Sequence, residues 1–364
     1  HPHDPPVQAL ILVGGFGTRL RPLTLSKPKP LVEFGNKVAL LYQIEALVEF
    51  GVTEIVLAIA YPPNVMEDFI LDVQKKHNIK IVCSQESEPL GTAGPIVYAK
   101  DVLRTNDPFF VINSDISSTF PLKELMAFHK QHKREASLVV TKVEEPSKYG
   151  VVVFEPDGKV VRFINKPKQY AGNYINAGIY ILEPSVVERI PAGPSSMEKE
   201  IFPVMAQEGQ LYCMPHAGYW LDIRTPKNHL LGMGKYVKHL RETNPAALST
   251  HPAVVGDVIM DSSATIGKEC VIGPDVVIGP DCVIEDGVHL ERATLMQGCV
   301  IRKHSFVSDS IIGWRSTVGQ WVRVENVTVL GEDVKLVDEI YVNGGLVLPH
   351  KVITSSVSEP KIIM

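Results

Sequence analysis

The sequence predicts an α/β chain in two domains: a Rossmann-like domain with a mixed sheet, then a left-handed hexapeptide β-helix. Three observations carry this. Short apolar strands alternate with helical segments through the first half. An apolar residue recurs at every sixth position from Val254 onward. A loop rich in glycine and cations, GGFGTRLRPLTLSKPKP at residues 14–30, follows directly on the apolar run Leu10-Ile11-Leu12-Val13.

The elements follow in order. Residues 7–13 read as a buried strand. Leu40, Leu41, Ile44, Leu47 and Val48 recur at helical spacing and stop at Gly51, a residue suited to a helix C-terminus. Strands are expected at 54–60, 79–84 and 109–113, and helices at 64–74, 92–103 and 122–132. Such alternation implies a mostly parallel sheet covered on both faces. From Ser137 the rhythm is richer in strands, at 137–143, 150–154, 160–164 and 178–182. Asp157-Gly158 marks a hairpin between two of them. A polar helix at 227–242 leads to Thr243-Asn244-Pro245, where the domain boundary is expected, dividing the chain into 7–243 and 244–364.

The second domain has its own period. Val254, Met260, Ile266, Ile272, Ile278, Ile284, Leu290 and Met296 form one column, and Val300, Phe306, Ile312, Val318, Val324, Leu330, Leu336, Val342 and Leu348 a second. Gly267, Gly273, Gly279, Gly313, Gly319 and Gly331 each follow a column residue. One buried apolar residue per six, with recurrent glycine, describes a hexapeptide β-helix. The change of phase between Met296 and Val300 predicts an irregular coil there. The open ends of the stack need a cap or a partner.

Bulk composition narrows the function. With 364 residues, 45% hydrophobic and 21% charged, the chain reads as an ordinary globular protein. A net charge of −5 argues against nucleic acid or an anionic membrane as partner. Five cysteines with no C-x-x-C pair read as free thiols in a reducing cytosol. No apolar run reaches the length of a membrane span, and no signal-peptide core is present. Residues 1–6 read as a disordered lead-in and not as a metal site.

The loop at 14–30 is the chemical signal. Gly14, Gly15 and Gly17 let backbone N–H groups approach phosphate oxygens, while Arg19, Arg21, Lys27 and Lys29 supply positive charge. The dinucleotide fingerprint fails because Leu20 stands where its third glycine belongs, and no Gly-Lys-Ser/Thr follows for a P-loop. A nucleoside triphosphate is the ligand this loop suggests; a plain glycine turn is the alternative.

Together with Val111-Ile112-Asn113-Ser114-Asp115, Lys166-Pro167, Asn176-Ala177-Gly178 and the hexapeptide tail, the loop resembles the sugar-nucleotide pyrophosphorylases. The resemblance runs from Val7 to Met364. Glu86-x-x-Pro89-Leu90-Gly91-Thr92-Ala93-Gly94 and the block from Val143 to Val152 favour the GDP-mannose pyrophosphorylase branch. That branch implies a nucleotidyltransferase in which GTP and mannose 1-phosphate give GDP-mannose and pyrophosphate.

The attacking sugar phosphate has a second pKa near ~6, so it is ionised at neutral pH and needs no general base. Positioning and charge stabilisation are what the site must supply. Mg²⁺ is held by one or two carboxylates plus substrate phosphates. Asp115 follows a strand at the end where open α/β sheets place ligands, and the resemblance makes Asp222 the second metal carboxylate. Each has an alternative as a helix cap. The resemblance gives Leu12, Gly14, Gly15, Gly17, Thr18, Arg19 and Lys29 to the nucleotide, with Arg19 and Lys29 on the departing pyrophosphate, and Lys166 to the sugar phosphate. Glu86 and Gly91 would choose the base, since a carboxylate accepts both guanine N1–H and N2–H₂. A surface glutamate is the alternative for Glu86. The sugar pocket would hold Gly150, Asn165, Lys166 and Asn176.

Two positions depart from the family pattern: Asn165 replaces a glutamate before Lys-Pro, and Arg224 replaces a glycine after Asp-Ile. The family implies a homo-oligomer joined through the C-terminal domain, with a regulatory paralogue subunit as an open alternative for feedback. Competing readings are a uridylyl-, thymidylyl- or adenylyltransferase, a non-catalytic sugar-nucleotide-binding subunit, and a hexapeptide acyltransferase. The last needs a catalytic histidine and usually a loop extruded between coils; the period around His289 and His304 shows no insertion.

Overall fold

The computed structural model describes residues 7–103 and 106–364. The lead-in expected at residues 1–6 lies outside the described residues. Contacts divide the chain into two compact units that do not follow its linear order. One comprises the residues up to Phe16 with Leu40–Trp220; the other comprises Gly17–Ala39 with Leu221–Met364. The expected boundary at 243/244 follows the hexapeptide repeat, whereas the compact units assign residues 17–39 and 221–243 to the β-helix side.

The first unit is built on one mixed sheet. Its parallel strands are β1 (Gln8–Gly14), β2 (Glu54–Ile59), β3 (Lys80–Gln85) and β4 (Phe109–Asn113). Then come β5 (Ala136–Lys142), β6 (Gly150–Phe154), β7 (Val160–Asn165), β8 (Tyr174–Leu182) and β9 (Leu211–Pro215). The sheet runs β7-β6-β8-β4-β1-β2-β3, and β5 pairs β8 and β9. Strands β8, β6 and β7 pair antiparallel, which explains the change of rhythm after Ser137. Asp157-Gly158 turns the β6–β7 hairpin, with Gly158 at φ 95°. Leu10, Val56, Val111, Leu138 and Tyr180 meet in the core.

The helices of this unit are α1 (Ala39–Phe50), whose first residue belongs to the second unit, then α2 (Glu67–His77), α3 (Gly94–Tyr98), α4 (Leu122–His132), α5 (Pro184–Arg189) and α6 (Phe202–Gln207). Helix α1 stops at Gly51 as expected, where the Gly51 and Val52 N–H groups both return to Leu47 O. Helix α3 is shorter than the 92–103 segment expected. Tighter three-residue bonds, Lys100 N to Val97 O and Val102 N to Ala99 O, take over after Tyr98 and end the α geometry.

The second unit holds α7 (Pro226–Thr243) and the β-helix. Each coil pairs with the next in parallel register: Val258 with Val276, and Ile266 with Ile284, 18 residues on. The expected irregularity at 296–300 lies elsewhere. The buried column runs Ile284, Leu290, Leu295, Ile301, Val307, Ile312 and Val318, each at most 1% exposed. It shortens by one residue between Leu290 and Leu295, and again between Val307 and Ile312. At these corners a single left-handed residue makes the turn, Arg292 (φ 44°) or Asp309 (φ 46°), and the strands His289–Leu295 and Phe306–Ile312 continue through. The two corners stack, Arg292 Nε and Nη2 donating to the two Asp309 carboxylate oxygens at 2.7 and 3.0 Å. Met296 therefore leaves the inner column. It is buried instead among Leu20, Leu23, Val32, Ile311, Trp314 and Val329. Among the described residues no helix is long and apolar enough to cross a membrane.

Candidate active site

In an open α/β sheet the ligand crevice forms where neighbouring strands leave in opposite directions. Here that point lies between β1 and β4: β2 and β3 extend the sheet on one side, β4 and β8 on the other. Leu12 pairs Asn113 across the crevice, and the Ser114 N–H donates to Leu12 O at 3.1 Å. The C-terminal ends of β1 and β4 thus open side by side. Gly14, at φ 74°, and Gly15 are exposed at one lip, and half-buried Asp115 stands on the other. The Gly14 carbonyl is held by the Ala60 N–H, which ties the loop to the end of β2.

Glu86 follows β3, three strands from β4 on the same edge. At about 4.8 Å per strand this separates Glu86 from Asp115 by roughly 14 Å, room for a nucleotide laid across the strand ends. Glu86 is 7% exposed, and its Oε2 accepts from the Leu90 N–H at 3.3 Å. It is not a surface glutamate. Burial pushes its carboxyl above the usual range, and the Leu90 N–H draws it partly back. Further donors at this carboxylate would favour the ionised form.

Gly91 sits at φ 75°, where an added Cβ would lie 2.4 Å from Ser195 O. The loop is tied down by Ser195 N to Leu90 O, by Thr92 Oγ1 to Glu198 Oε2 at 2.7 Å, and by Met197 N to Thr92 Oγ1 at 2.9 Å. Ser195 and Glu198 were not singled out from sequence. They lie about a hundred residues downstream, and no local pattern links them to Gly91.

Gly150 pairs Asn165 across the β6–β7 hairpin, and Ile175, beside Asn176, pairs Val151 on the other side of β6. The four residues expected at the sugar are thereby gathered. A Cβ on Gly150 would lie 2.7 Å from the Phe163 ring, so a larger residue would have to displace that ring. Lys166 is exposed in a left-handed turn, φ 46°, with its N–H held by Tyr149 O. Asn176 Oδ1 accepts from the Gly178 N–H, and its Nδ2 donates to the Tyr180 hydroxyl. These bonds sit at the register shift of β8 between Asn176 and Tyr180, and leave one N–H and one lone pair of the amide unused by them. Trp220 donates to Ala177 O at 2.9 Å and meets Tyr149 edge-on.

The other residues singled out from sequence belong to the second unit. Thr18 and Arg19 are exposed on the loop, and Lys29 opens its third short turn. Gly17 is required by close approach, since a Cβ there would lie 2.9 Å from Lys29 Cβ. Thr24 Oγ1 closes the loop onto Gly17 O at 2.8 Å. The strap packs on the β-helix through Leu20, Leu23 and Val32, and Asn36 Nδ2 donates to Ile278 O. Asp222 belongs to the other segment of this unit; it is buried and accepts from Asn228 Nδ2 at 2.9 Å.

Neither proposed metal carboxylate is a helix cap. Thr225 caps α7, accepting from the Asn228 N–H, and Pro121 precedes α4. Among the described residues no group of three or more His, Cys, Asp or Glu side chains is arranged for a metal. Each carboxylate by itself has the chemistry of a ligand for a hard cation that completes its shell with phosphate oxygens and water.

The nucleotidyl transferase family model matches residues 8–237, and the GMPPB C-terminal domain model matches residues 254–363. Mannose-1-phosphate guanylyltransferase 1 of Arabidopsis thaliana is 58% identical over 361 residues, covering 98% of this chain and 100% of that protein. The mannose-1-phosphate guanylyltransferase catalytic subunits beta of Danio rerio and Dictyostelium discoideum are 56% and 54% identical over the same share of each chain. A solved Bacillus anthracis structure, assigned as a glucose-1-phosphate thymidylyltransferase, shares the fold with a TM-score of 0.57 at 21% identity, over 62% of this chain and 93% of that one.

Proposed function

The chain belongs to the nucleotidyl transferase family, and from that premise we propose that it transfers the guanylyl group of GTP to mannose 1-phosphate, giving GDP-mannose and pyrophosphate. The observation that carries this reading is the end-to-end match to mannose-1-phosphate guanylyltransferases.

The reaction is an in-line displacement. A sugar-phosphate oxygen forms a bond to the α-phosphorus while the bond from that phosphorus to the bridging β-phosphate oxygen breaks. The electron pair departs on pyrophosphate. The nucleophile is already ionised, so no protein base acts. Lys166 holds the attacking phosphate. Arg19, a planar fork, and Lys29, a point charge, hold the triphosphate and meet the charge that develops on pyrophosphate. Glu86 accepts guanine N1–H and N2–H₂; adenine would turn a lone pair toward it. Gly91 lets the loop approach the base. Gly150, Asn165 and Asn176 form the sugar pocket, where Asn165 can both accept and donate. Asp115 and Asp222 are the carboxylates we assign to Mg²⁺, which when bound offsets phosphate charge. We also assign self-association to the C-terminal half; Trp321, 61% exposed on the β-helix, supports that reading.

A coupled pyrophosphate-release assay tests this, pairing GTP, UTP, dTTP and ATP with mannose and glucose 1-phosphates in the presence of Mg²⁺. The fastest release is expected from GTP with mannose 1-phosphate. Release from no pair would overturn the enzyme reading, and preference for another nucleotide would overturn the guanylyl assignment.

A further inference from the structure

Helix α1 lays Leu40, Ile44 and Leu47 into the core, each fully buried. Gln43 lies on the same face and is also 0% exposed. Burying a primary amide there is costly unless its groups find partners. Its donors do: Nε2 reaches Ser114 O at 3.1 Å and Ile116 O at 3.2 Å. Its Oε1 has no hydrogen-bond partner in the structure. An aliphatic side chain would suit this helix face better, so the polar residue calls for a reason beyond core packing.

The two carbonyls belong to Ser114 and Ile116, the residues that flank Asp115. An amide nitrogen carries two N–H donors, and Gln43 directs both to this one turn. The Ser114 N–H, bonded to Leu12 O, fixes the same turn from β1. The peptide group that enters Asp115 and the one that leaves Ile116 are thereby held by a rigid helix, and a central strand holds the Ser114 N–H, while the Asp115 side chain stays half-buried at the crevice.

We propose that Gln43 is a positioning residue: its side-chain amide clamps the Ser114 and Ile116 carbonyls and so aims the Asp115 carboxylate before metal and nucleotide arrive. This rests on the reading of Asp115 as a Mg²⁺ ligand. A pre-aimed carboxylate binds its cation without first ordering its own backbone, which lowers the cost of binding.

Gln43→Met in the full chain keeps the length of the side chain and removes both donors. Loss of two hydrogen bonds predicts about a tenfold rise in the Mg²⁺ concentration for half-maximal rate and about a tenfold fall in kcat. The KM for mannose 1-phosphate should not move. Binding of Mn²⁺–GTP, followed by water-proton relaxation, should weaken by the same factor, a readout independent of turnover. Wild-type Mg²⁺ and Mn²⁺ dependence in Gln43→Met, with Asp115→Asn inactive, overturns the clamp and leaves the metal reading standing. Turnover retained in Asp115→Asn overturns the metal reading itself, and the clamp with it. Should Gln43→Met fail to fold, amide exchange of residues 114–116 in the unmutated chain decides. Equal protection with and without Mg²⁺–GTP supports a preset turn; protection that appears only with Mg²⁺–GTP overturns it.

Discussion

Trp314 Nε1 donates to Glu33 Oε2 at 3.0 Å, joining residues 281 positions apart. Trp314 is on the β-helix, and Glu33 is on the strap that carries Arg19 and Lys29. The other Glu33 oxygen takes Lys27 Nζ at 2.7 Å, the Lys27 ammonium lies 4.9 Å above the Trp314 ring, and the Glu33 carbonyl takes His229 Nε2 at 3.2 Å. One glutamate therefore fastens the cationic loop to both α7 and the β-helix. The β-helix braces the loop that carries Arg19 and Lys29 as well as forming its own stack.

Trp314→Phe keeps the apolar contact with Leu20 and Leu23 and removes the N–H. A hydrogen bond to a charged group is worth about 1.5–3 kcal/mol. The KM for GTP should rise several-fold while that for mannose 1-phosphate stays level, because the strap carries Arg19 and Lys29, the cations proposed for the triphosphate, and not Lys166. Initial-rate kinetics with each substrate varied check this; equal changes in both would show that the strap does not depend on this bond.

Asp115→Asn and Asp222→Asn remove charge with little change of shape. Each should lower kcat about a hundredfold or more, since a metal contributes several kcal/mol of charge stabilisation. Urea unfolding should stay close to the parent for Asp115→Asn. Excess Mg²⁺ that restored normal rates would argue for weakened affinity and against a required ligand.

Glu86→Gln turns an acceptor-only carboxylate into an amide that can present one acceptor to guanine. The expected loss in kcat/KM is about tenfold to a hundredfold with GTP and much smaller with ATP. Competition between the two nucleotides measures it directly. An unchanged GTP-to-ATP ratio would confine Glu86 to holding Leu90.

His229 is fully enclosed against Phe34 and the Glu33 carbonyl, and burial pushes its pKa down to about 4. An unfolded histidine titrates near about 6.5. Between these values the unfolded chain binds the extra proton, so stability falls as pH drops from 6.5 toward 4. The loss reaches about 3 kcal/mol at the lower end. His229→Phe should flatten that part of a plot of unfolding free energy against pH. A slope unaffected by the substitution would place the titrating group elsewhere.

The core of both halves was legible because its signals are local. The run Leu10–Val13, the helical spacing from Leu40 to Val48 and the hexapeptide column each reflect residues that bury next to their sequence neighbours. The column missed at Met296, Val300 and Phe306, between the corners that single left-handed residues at Arg292 and Asp309 shorten, and at Leu348, where Val347 is buried instead. Nothing in a charged side chain announces positive φ, and dropping one residue moves the inward position from Met296 to Leu295. The cap alternatives for Asp115 and Asp222 could not be dismissed from sequence either; the structure places Pro121 before α4 and Thr225 at the cap of α7.

By itself the sequence determined the α/β-then-β-helix order and nominated the candidate side chains, since periodicity and residue type express burial and charge directly. Only the tertiary structure decided that residues 17–39 join the β-helix unit, that Ser195 and Glu198 brace the Gly91 loop, and that Gln43 holds the Asp115 turn. These are pairings between distant segments. Their free energy depends on which surfaces meet after folding, and no short stretch of chain encodes that.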